Sequence, residues 1–409
     1  MNKMKKVPEI RFKEFAEDWE NTDASIIFKT YFDKNHPDLP VLSASQEYGM
    51  IIREDVGFKV QHNKENEAGY KRVLPGQFVI HLRSFQGGFA HSDVEGITSP
   101  AYTIIEFRDK SQQDDIFWKY VLTSKEFIKR LETVTYGIRD GRSISFEDFS
   151  ELGFNVPDIK EQRKIGKTLT VIDTLIRKLE QKLEKLRNIK QSLLNQMFVN
   201  VNRGGYAPLI RFNGYNNKWI MLTLNDISER ITRKNTNNES SLPLTVSAQY
   251  GLINQNDFFN SRIASKDVSG YYLIKNGEFA YNKSSSDGYP FGAVKRLDRY
   301  KMGVLSTLYI IFALNKDKID SDFLSIFFET DKWYEHISQR AAEGARNHGL
   351  LNISSEDFLD LKILTPKSKN EQSLIAGYVS ALGRLVEGTS SKLTKLRTMK
   401  QSLLQKMFV

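Results

Sequence analysis

The chain has 409 residues, 40% of them hydrophobic and 27% charged, with a formal net charge of +9. That length and mix fit two or three ordinary globular domains and argue against wholesale disorder. The absence of cysteine excludes a disulfide scaffold, a cysteine nucleophile and every cysteine-ligated zinc or iron–sulfur site. No apolar run approaches the about 18–20 residues that span a bilayer, and no apolar stretch follows the basic start Met1–Lys6. The expectation is a cytoplasmic protein with no signal peptide and no membrane contact. The basicity suits a polyanionic partner, but an ordinary basic enzyme could carry the same charge.

In chain order, Ile10-Arg11-Phe12 with Trp19 comes first and returns as Ile210-Arg211-Phe212 with Trp219. Ser45 and Tyr48-Gly49 return as Ser247 and Tyr250-Gly251, and Pro75-Gly76-Gln77-Phe78 as Asn276-Gly277-Glu278-Phe279. Gly96-Ile97-Thr98-Ser99 is echoed by Gly303-Val304-Leu305-Ser306, and Glu147-Asp148-Phe149 by Glu356-Asp357-Phe358. Lys190-Gln191-Ser192-Leu193-Leu194 with Met197-Phe198-Val199 returns as Lys400-Gln401-Ser402-Leu403-Leu404 with Met407-Phe408-Val409. The separation drifts from 200 to 210 residues, as small insertions in a duplicated unit produce. A period this long is a whole-domain duplication rather than a solenoid repeat of about 20–50 residues.

Each half begins with a mixed region. Short β-rich runs at 78–82 and 102–107 lie between Gly and Pro punctuation, and helical stretches are expected near 115–132 and 321–339. Each half ends in a heptad pattern. The first comprises Ile165, Leu169, Ile172, Ile176, Leu179, Leu183, Leu186, Lys190, Leu193 and Met197. The second comprises Ile375, Val379, Leu382, Val386, Thr389, Leu393, Leu396, Lys400, Leu403 and Met407. Alternating steps of four and three favour a coiled-coil seam over a helix packed only on its own domain. Connectivity then makes the two helices antiparallel. The expected fold class is an α/β (α+β) tandem duplication with pseudo-two-fold symmetry. Its parts are a globular domain over 1–156, a helix over 157–200, a second globular domain over 201–365 and a second helix over 366–409. Lys190 and Lys400 either fix the register of the seam or snorkel outward while Ile189 or Met399 fills it.

No catalytic motif is present. There is no G-x-G and no Pro-Pro, so a dinucleotide fingerprint and an N-P-P-Y amino-methyltransferase motif are both missing. Gly166-Lys167-Thr168 resembles the end of a phosphate-binding loop, but Glu161 stands where its first glycine belongs. Pro157-Asp158 with Glu180-Gln181-Lys182 mimics a nuclease constellation, but its second element lies on the heptad helix. The six histidines show no metal-binding spacing, and no G-x-S-x-G elbow occurs.

The duplicated plan resembles the specificity subunits of type I restriction–modification systems. The likeness is carried by the P-x-I-R-F…W opening, the run Gly96-Ile97-Thr98-Ser99-Pro100-Ala101-Tyr102, Pro157 followed by Glu161-Gln162, and the doubled K-Q-S-L-L-x-x-M-F-V ending. In the second copy, Leu308 replaces Ala101 and Glu371 follows its proline one residue later. The resemblance implies that each globular domain is a target recognition domain for one half of a bipartite site in double-stranded DNA. It implies that the helices set the unread spacer and help hold two methylation subunits. S-adenosylmethionine, Mg and ATP would then reside on the methylation and restriction/translocation subunits, leaving this chain non-catalytic, with no metal or cofactor of its own. The alternatives are a coiled-coil scaffold with two protein-binding heads and a self-sufficient methyltransferase, which the missing motifs disfavour.

The segments between the repeated landmarks differ in the two halves. They yield the candidate DNA-binding residues Arg83, Ser84, Gln86, Arg139, Arg142 and Ser143 in the first, and Asn282, Lys283, Ser284, Ser285, Arg346, Asn347 and His348 in the second. These residue types suit base edges and phosphates. Because the two sets differ, the expected site is asymmetric. Net charge is −4 over 1–160, +5 over 161–199, +4 over 200–370 and +4 over 371–409, so the basicity lies on the helices rather than on the paired heads.

Overall fold

Two long helices, Ile159–Met197 of 39 residues and Lys369–Lys406 of 38, organise the chain. Both begin on a side-chain cap. The Asp158 carboxylate accepts from the backbone N–H groups of Lys160 and Glu161 at 2.7 and 3.2 Å, and the Ser368 hydroxyl accepts from that of Glu371 at 3.5 Å. The second helix continues unbroken through Gly377, Gly383 and Gly388. The computed structural model describes residues 7–45, 48–56, 64–81, 88–134, 144–201, 205–259, 264–341 and 349–408. They fall into two units, Met1–Gln181 with Ser391–Val409, and Lys182–Ser390.

Unit one carries a four-stranded antiparallel sheet of β1 (Phe28–Tyr31), β2 (Phe78–Ile80), β3 (Phe89–His91) and β4 (Thr103–Phe107), in the order β1-β4-β2-β3. Alternation along β2 buries both faces. Phe78 and Ile80 enter an aromatic core with Phe28, Phe117, Trp118 and Phe149, whereas Val79 meets Leu42, Met50 and Val73 on the other face. The strand Glu20–Asp23 pairs with Gly153–Val156 and ties the start of the unit to its end.

The helical stretch expected near 115–132 is two helices, α1 (Asp115–Leu122) and a second over Lys125–Val134. Side chains break it: the Thr123 hydroxyl donates to the Lys119 carbonyl at 2.6 Å, and the Ser124 hydroxyl accepts from the Phe127 N–H at 3.1 Å.

Unit two contains β5 (Ser228–Ile231), β6 (Phe279–Asn282), β7 (Ala293–Arg296) and β8 (Ile310–Leu314), in the order β5-β8-β6-β7. Phe279 and Tyr281 face a core with Phe312, Trp333 and Phe358, while Ala280 faces Leu244 and Leu252. The stretch expected near 321–339 is likewise two helices, α2 (Ser321–Phe327) and one over Tyr334–Arg340.

Each unit also holds one copy of the repeated ending. In unit one, the Lys406 carbonyl accepts from the Ile10 N–H at 3.0 Å, and the Phe408 ring lies 5.6 Å from Phe117. In unit two, the Gln196 carbonyl accepts from the Ile210 N–H at 3.1 Å, and Phe198 lies 5.2 Å from Phe323. Unit one pairs its helical segments through Arg397 with Glu180 and Lys400 with Asp173, both at 2.5 Å, a register that runs antiparallel. In unit two, Leu194 and Met197 share a core with Ile375 and Val379.

Candidate nucleic-acid interface

A polar hub stands at the head of each long helix. Glu161, fully buried, accepts from the Arg11 guanidinium at 2.8 and 2.7 Å and from the Trp19 indole at 3.2 Å. Glu371 does the same with Arg211, at 2.6 and 2.9 Å, and with Trp219 at 3.3 Å. Hydrogen bonding to its glutamate holds each guanidinium above its usual pKa, against the opposing effect of burial.

The neighbouring glutamines anchor the next helix. Gln162 accepts from the Asp114 N–H at 3.0 Å and donates to the Gln112 and Pro157 carbonyls, while Gln372 accepts from the Asp320 N–H at 2.7 Å and donates to the Pro366 carbonyl. Asp114 and Asp320 in turn cap α1 and α2. Gly166 sits against the start of α1, where a Cβ would stand 3.0 Å from both the Phe117 nitrogen and the Asp114 carboxylate. The glycine of the loop-like Gly166-Lys167-Thr168 run thus serves close packing within a helix.

In unit two the structure brings two of the differing segments together. The Ser285 N–H donates to the Gly349 carbonyl at 2.7 Å, its hydroxyl to the same carbonyl at 3.0 Å, and the Leu351 N–H to the Lys283 carbonyl at 3.0 Å. The Asn282 amide donates to the Val246 carbonyl at 3.2 Å and accepts from the Ser284 N–H at 3.0 Å. Lys283 reaches the Ile353 carbonyl at 3.4 Å. Asn282 and Lys283 therefore hold the local backbone, and Ser285 is the exposed member of the four. Arg346, Asn347 and His348 lie outside the described residues.

In unit one, Arg83, Ser84, Gln86, Arg139, Arg142 and Ser143 all lie outside the described residues. The backbone flanking them converges. The His81 N–H donates to the Gly88 carbonyl at 2.9 Å, and a Cβ on Gly88 would meet the Ile144 side chain at 3.3 Å.

The seam positions divide between the units. Ile165, Leu169, Ile172 and Leu393 are buried in unit one, with Ile176, Leu179, Leu396 and Leu403 half-buried. Leu183, Ile375 and Val379 are buried in unit two, with Leu186, Leu193, Leu382 and Val386 half-buried. Ile189 and Met399 are 49% and 47% exposed, so neither fills the seam. Lys190 pairs with Glu329 at 2.7 Å, and Lys400 with an Asp173 that also accepts from the Tyr120 hydroxyl at 2.7 Å. Burial, then the bond to Asp173, pushes the Tyr120 hydroxyl well above its usual range.

One pair of residues had no signal in the sequence. His91, at the end of β3, lies between Asp115 and Asp93, with Nε2 2.8 Å from one carboxylate and Nδ1 3.3 Å from the other. Arg296, at the end of β7, lies between Asp298 and Asp322 at 2.6 and 2.7 Å. Strand register aligns them, because Phe78 pairs with His91 and Phe279 with Arg296, whereas the two side chains share no residue identity.

Among the described residues, no helix is long and apolar enough to cross a membrane. The fold matches the crystal structure of the type I restriction–modification system S subunit from M. genitalium, with a TM-score of 0.59 and 14% identity over 98% of this chain and 99% of that one. The HsdS subunit from Thermoanaerobacter tengcongensis is also similar, with a TM-score of 0.47 and 13% identity over 95% and 96% of the two chains. Residues 5–188 match the family described as the type I restriction modification DNA specificity domain. The matched region contains the Arg11–Glu161 hub and the mixed α/β head of unit one, and over it the chain is similar to the type I restriction modification DNA specificity domain.

Proposed function

We propose that the chain is the DNA-reading subunit of a type I restriction–modification complex, with target recognition domains over 1–156 and 201–365 and spacer helices over 157–200 and 366–409. Each recognition domain reads one half of an asymmetric bipartite site in double-stranded DNA. The duplicated sequence supports a pseudo-two-fold pair of readers, as dimeric DNA-binding proteins use for paired half-sites. The observation that carries the reading is the junction of segment 282–285 with Gly349 and Leu351. The sequence segments that differ between the halves meet there, on a frame whose Arg–Glu–Trp hub is the same in both units. Sequence is read by base contacts that vary, while shared contacts position the protein.

The long helices set the spacing between half-sites and help recruit two methylation subunits. Their net charges of +5 and +4 suit phosphates or acidic protein surfaces. Exposed Leu374, Tyr378 and Leu385 on the second helix suit a protein partner. Methyl transfer with S-adenosylmethionine, and ATP- and Mg-dependent work, fall to the methylation and restriction/translocation subunits, and this chain has no catalytic role.

The test is methylation mapping of DNA from cells with and without the gene, joined to salt-dependent DNA binding by the assembled complex. The expected result is a gene-dependent asymmetric bipartite motif and affinity that falls steeply with salt. A palindromic motif would overturn the two-reader account. A chain that binds protein partners but leaves methylation unchanged would favour the scaffold reading.

A further inference from the structure

The four-stranded sheet of each unit ends in a short strand, β3 or β7; directly after β3, Ser92 also forms a parallel bridge with Met50. β3 follows Gly88 directly, and with it the segment that contains Arg83, Ser84 and Gln86. β7 follows the segment that begins with Asn282 through Ser285. A strand of three or four residues has a short ladder, so a side-chain contact at its far end adds to what holds it in the sheet.

Both units make that contact with a basic side chain between two carboxylates. One carboxylate comes from the residues just after the strand, Asp93 or Asp298, and the other from the first turn of the following helix, Asp115 or Asp322. The charged groups around His91 are Asp93, Asp115 and Lys119, whose ammonium lies 3.4 Å from Asp93. The Phe78 ring packs at 5.1 Å. On the remaining side is backbone: Gly49, at φ +76°, lies so close that a Cβ there would stand 2.3 Å from the His91 carbonyl oxygen. Around Arg296 are Asp298, Asp322 and the Ser321 hydroxyl, which accepts at 2.8 Å.

We propose that His91 and Arg296 are positioning residues for DNA reading, each latching the short strand that follows its unit's reading segment in the chain, and that the latch of unit one opens as pH rises while that of unit two stays closed. This rests on the reading of those segments as DNA contacts.

The direction follows from linkage. Burial works against charge on His91, but the hydrogen bond to Asp115 and the Asp93 carboxylate beside it outweigh burial and raise the imidazole above 6.5. The same contacts depress Asp93 to about 2 and also lower Asp115. The carboxylate contribution is present above their ordinary value of 3.8 and is lost as pH falls through the depressed folded values. The imidazole contribution is full below 6.5 and is lost as pH rises through the raised folded value. Arg296 stays charged throughout, held above its usual value by Asp298 and Asp322 despite burial.

The experiment is hydrogen exchange on the full chain, corrected for intrinsic rates, from about pH 6 to pH 9, a range that spans imidazole titration. Peptides covering 89–92 in unit one should lose protection by up to about tenfold for each pKa unit separating the folded and unfolded histidine. Peptides covering 293–296 in unit two should not. His91→Arg should abolish the pH dependence in unit one, and Arg296→His should create it in unit two. The reciprocal pair keeps the test open should either variant fold poorly. Equal pH profiles in both units, or an unchanged profile in both variants, would overturn the latch.

A second arm measures affinity of the assembled complex for a duplex carrying the motif found by methylation mapping. Affinity should fall above the imidazole value for the wild type and stay level for His91→Arg. A pH-dependent exchange profile with level wild-type affinity would overturn the positioning role. Absence of DNA binding at every pH, with the exchange profile intact, would place the failure in the DNA-reading account instead.

Discussion

Glu161 receives both arms of the Arg11 guanidinium fork, at 2.8 and 2.7 Å, across 150 residues of sequence. The bidentate geometry fixes angle as well as distance, and the Trp19 indole closes the hub from a third direction. Removing the carboxylate leaves a guanidinium that is only 12% exposed without its counter-charge. Glu161→Ala should destabilise unit one by about 3 kcal/mol, the lower end of the range for breaking a buried ion pair. Hydrogen exchange resolved by unit should show the loss in unit one for Glu161→Ala and in unit two for Glu371→Ala.

The helix ends offer a second test. Phe198 is 3% exposed and packs on Phe323 and Phe327. Phe198→Ala should cost about 3–5 kcal/mol, as large-to-small changes in aromatic cores do. Chemical denaturation followed by exchange should place that cost in unit two.

Glycines within the long helices should respond in opposite directions. Nothing lies within 4 Å of a Cβ at Gly377, so Gly377→Ala should stabilise by about 0.5–1 kcal/mol through helix propensity alone. At Gly166 the Phe117 nitrogen at 3.0 Å is backbone and cannot swing aside. Gly166→Ala should cost about 1–3 kcal/mol by overpacking, despite the same propensity gain. Thermal melts of the two variants should move apart.

Lys190 and Glu329 are 27% and 36% exposed, which places their ion pair in partly screened surroundings. Lys190→Leu should change stability by less than about 1 kcal/mol. The difference from wild type should shrink as salt is added to a denaturation series.

Much of the fold was legible where the pattern is local and regular. The heptads announced both long helices to within a few residues, because a seam every three or four residues is a one-dimensional signal. The opening Ile10-Arg11-Phe12 with Trp19, and Glu161-Gln162, were legible as landmarks, but not as a single hub, since spacing in sequence carries no information about a contact across 150 residues. The break between α1 and its neighbour was missed because Thr123 and Ser124 end and cap helices through hydroxyl bonds that an apolar pattern does not register. His91 and Arg296 escaped because equivalent places hold different side chains, and only strand register aligns them. Of the residues chosen for DNA contact, Asn282 and Lys283 hold backbone, a role that composition does not separate from recognition.

The most direct test of the two-reader account alters one recognition domain and reads both half-sites. Methylation mapping should compare cells carrying the wild-type chain with cells carrying Ser284→Ala, Ser285→Ala, Arg346→Ala and Asn347→Ala combined. The account predicts that one half of the methylated motif relaxes or is lost, while the other half and the spacing between them stay the same. A motif that changes in both halves together, or that does not change at all in a folded and expressed variant, would contradict it.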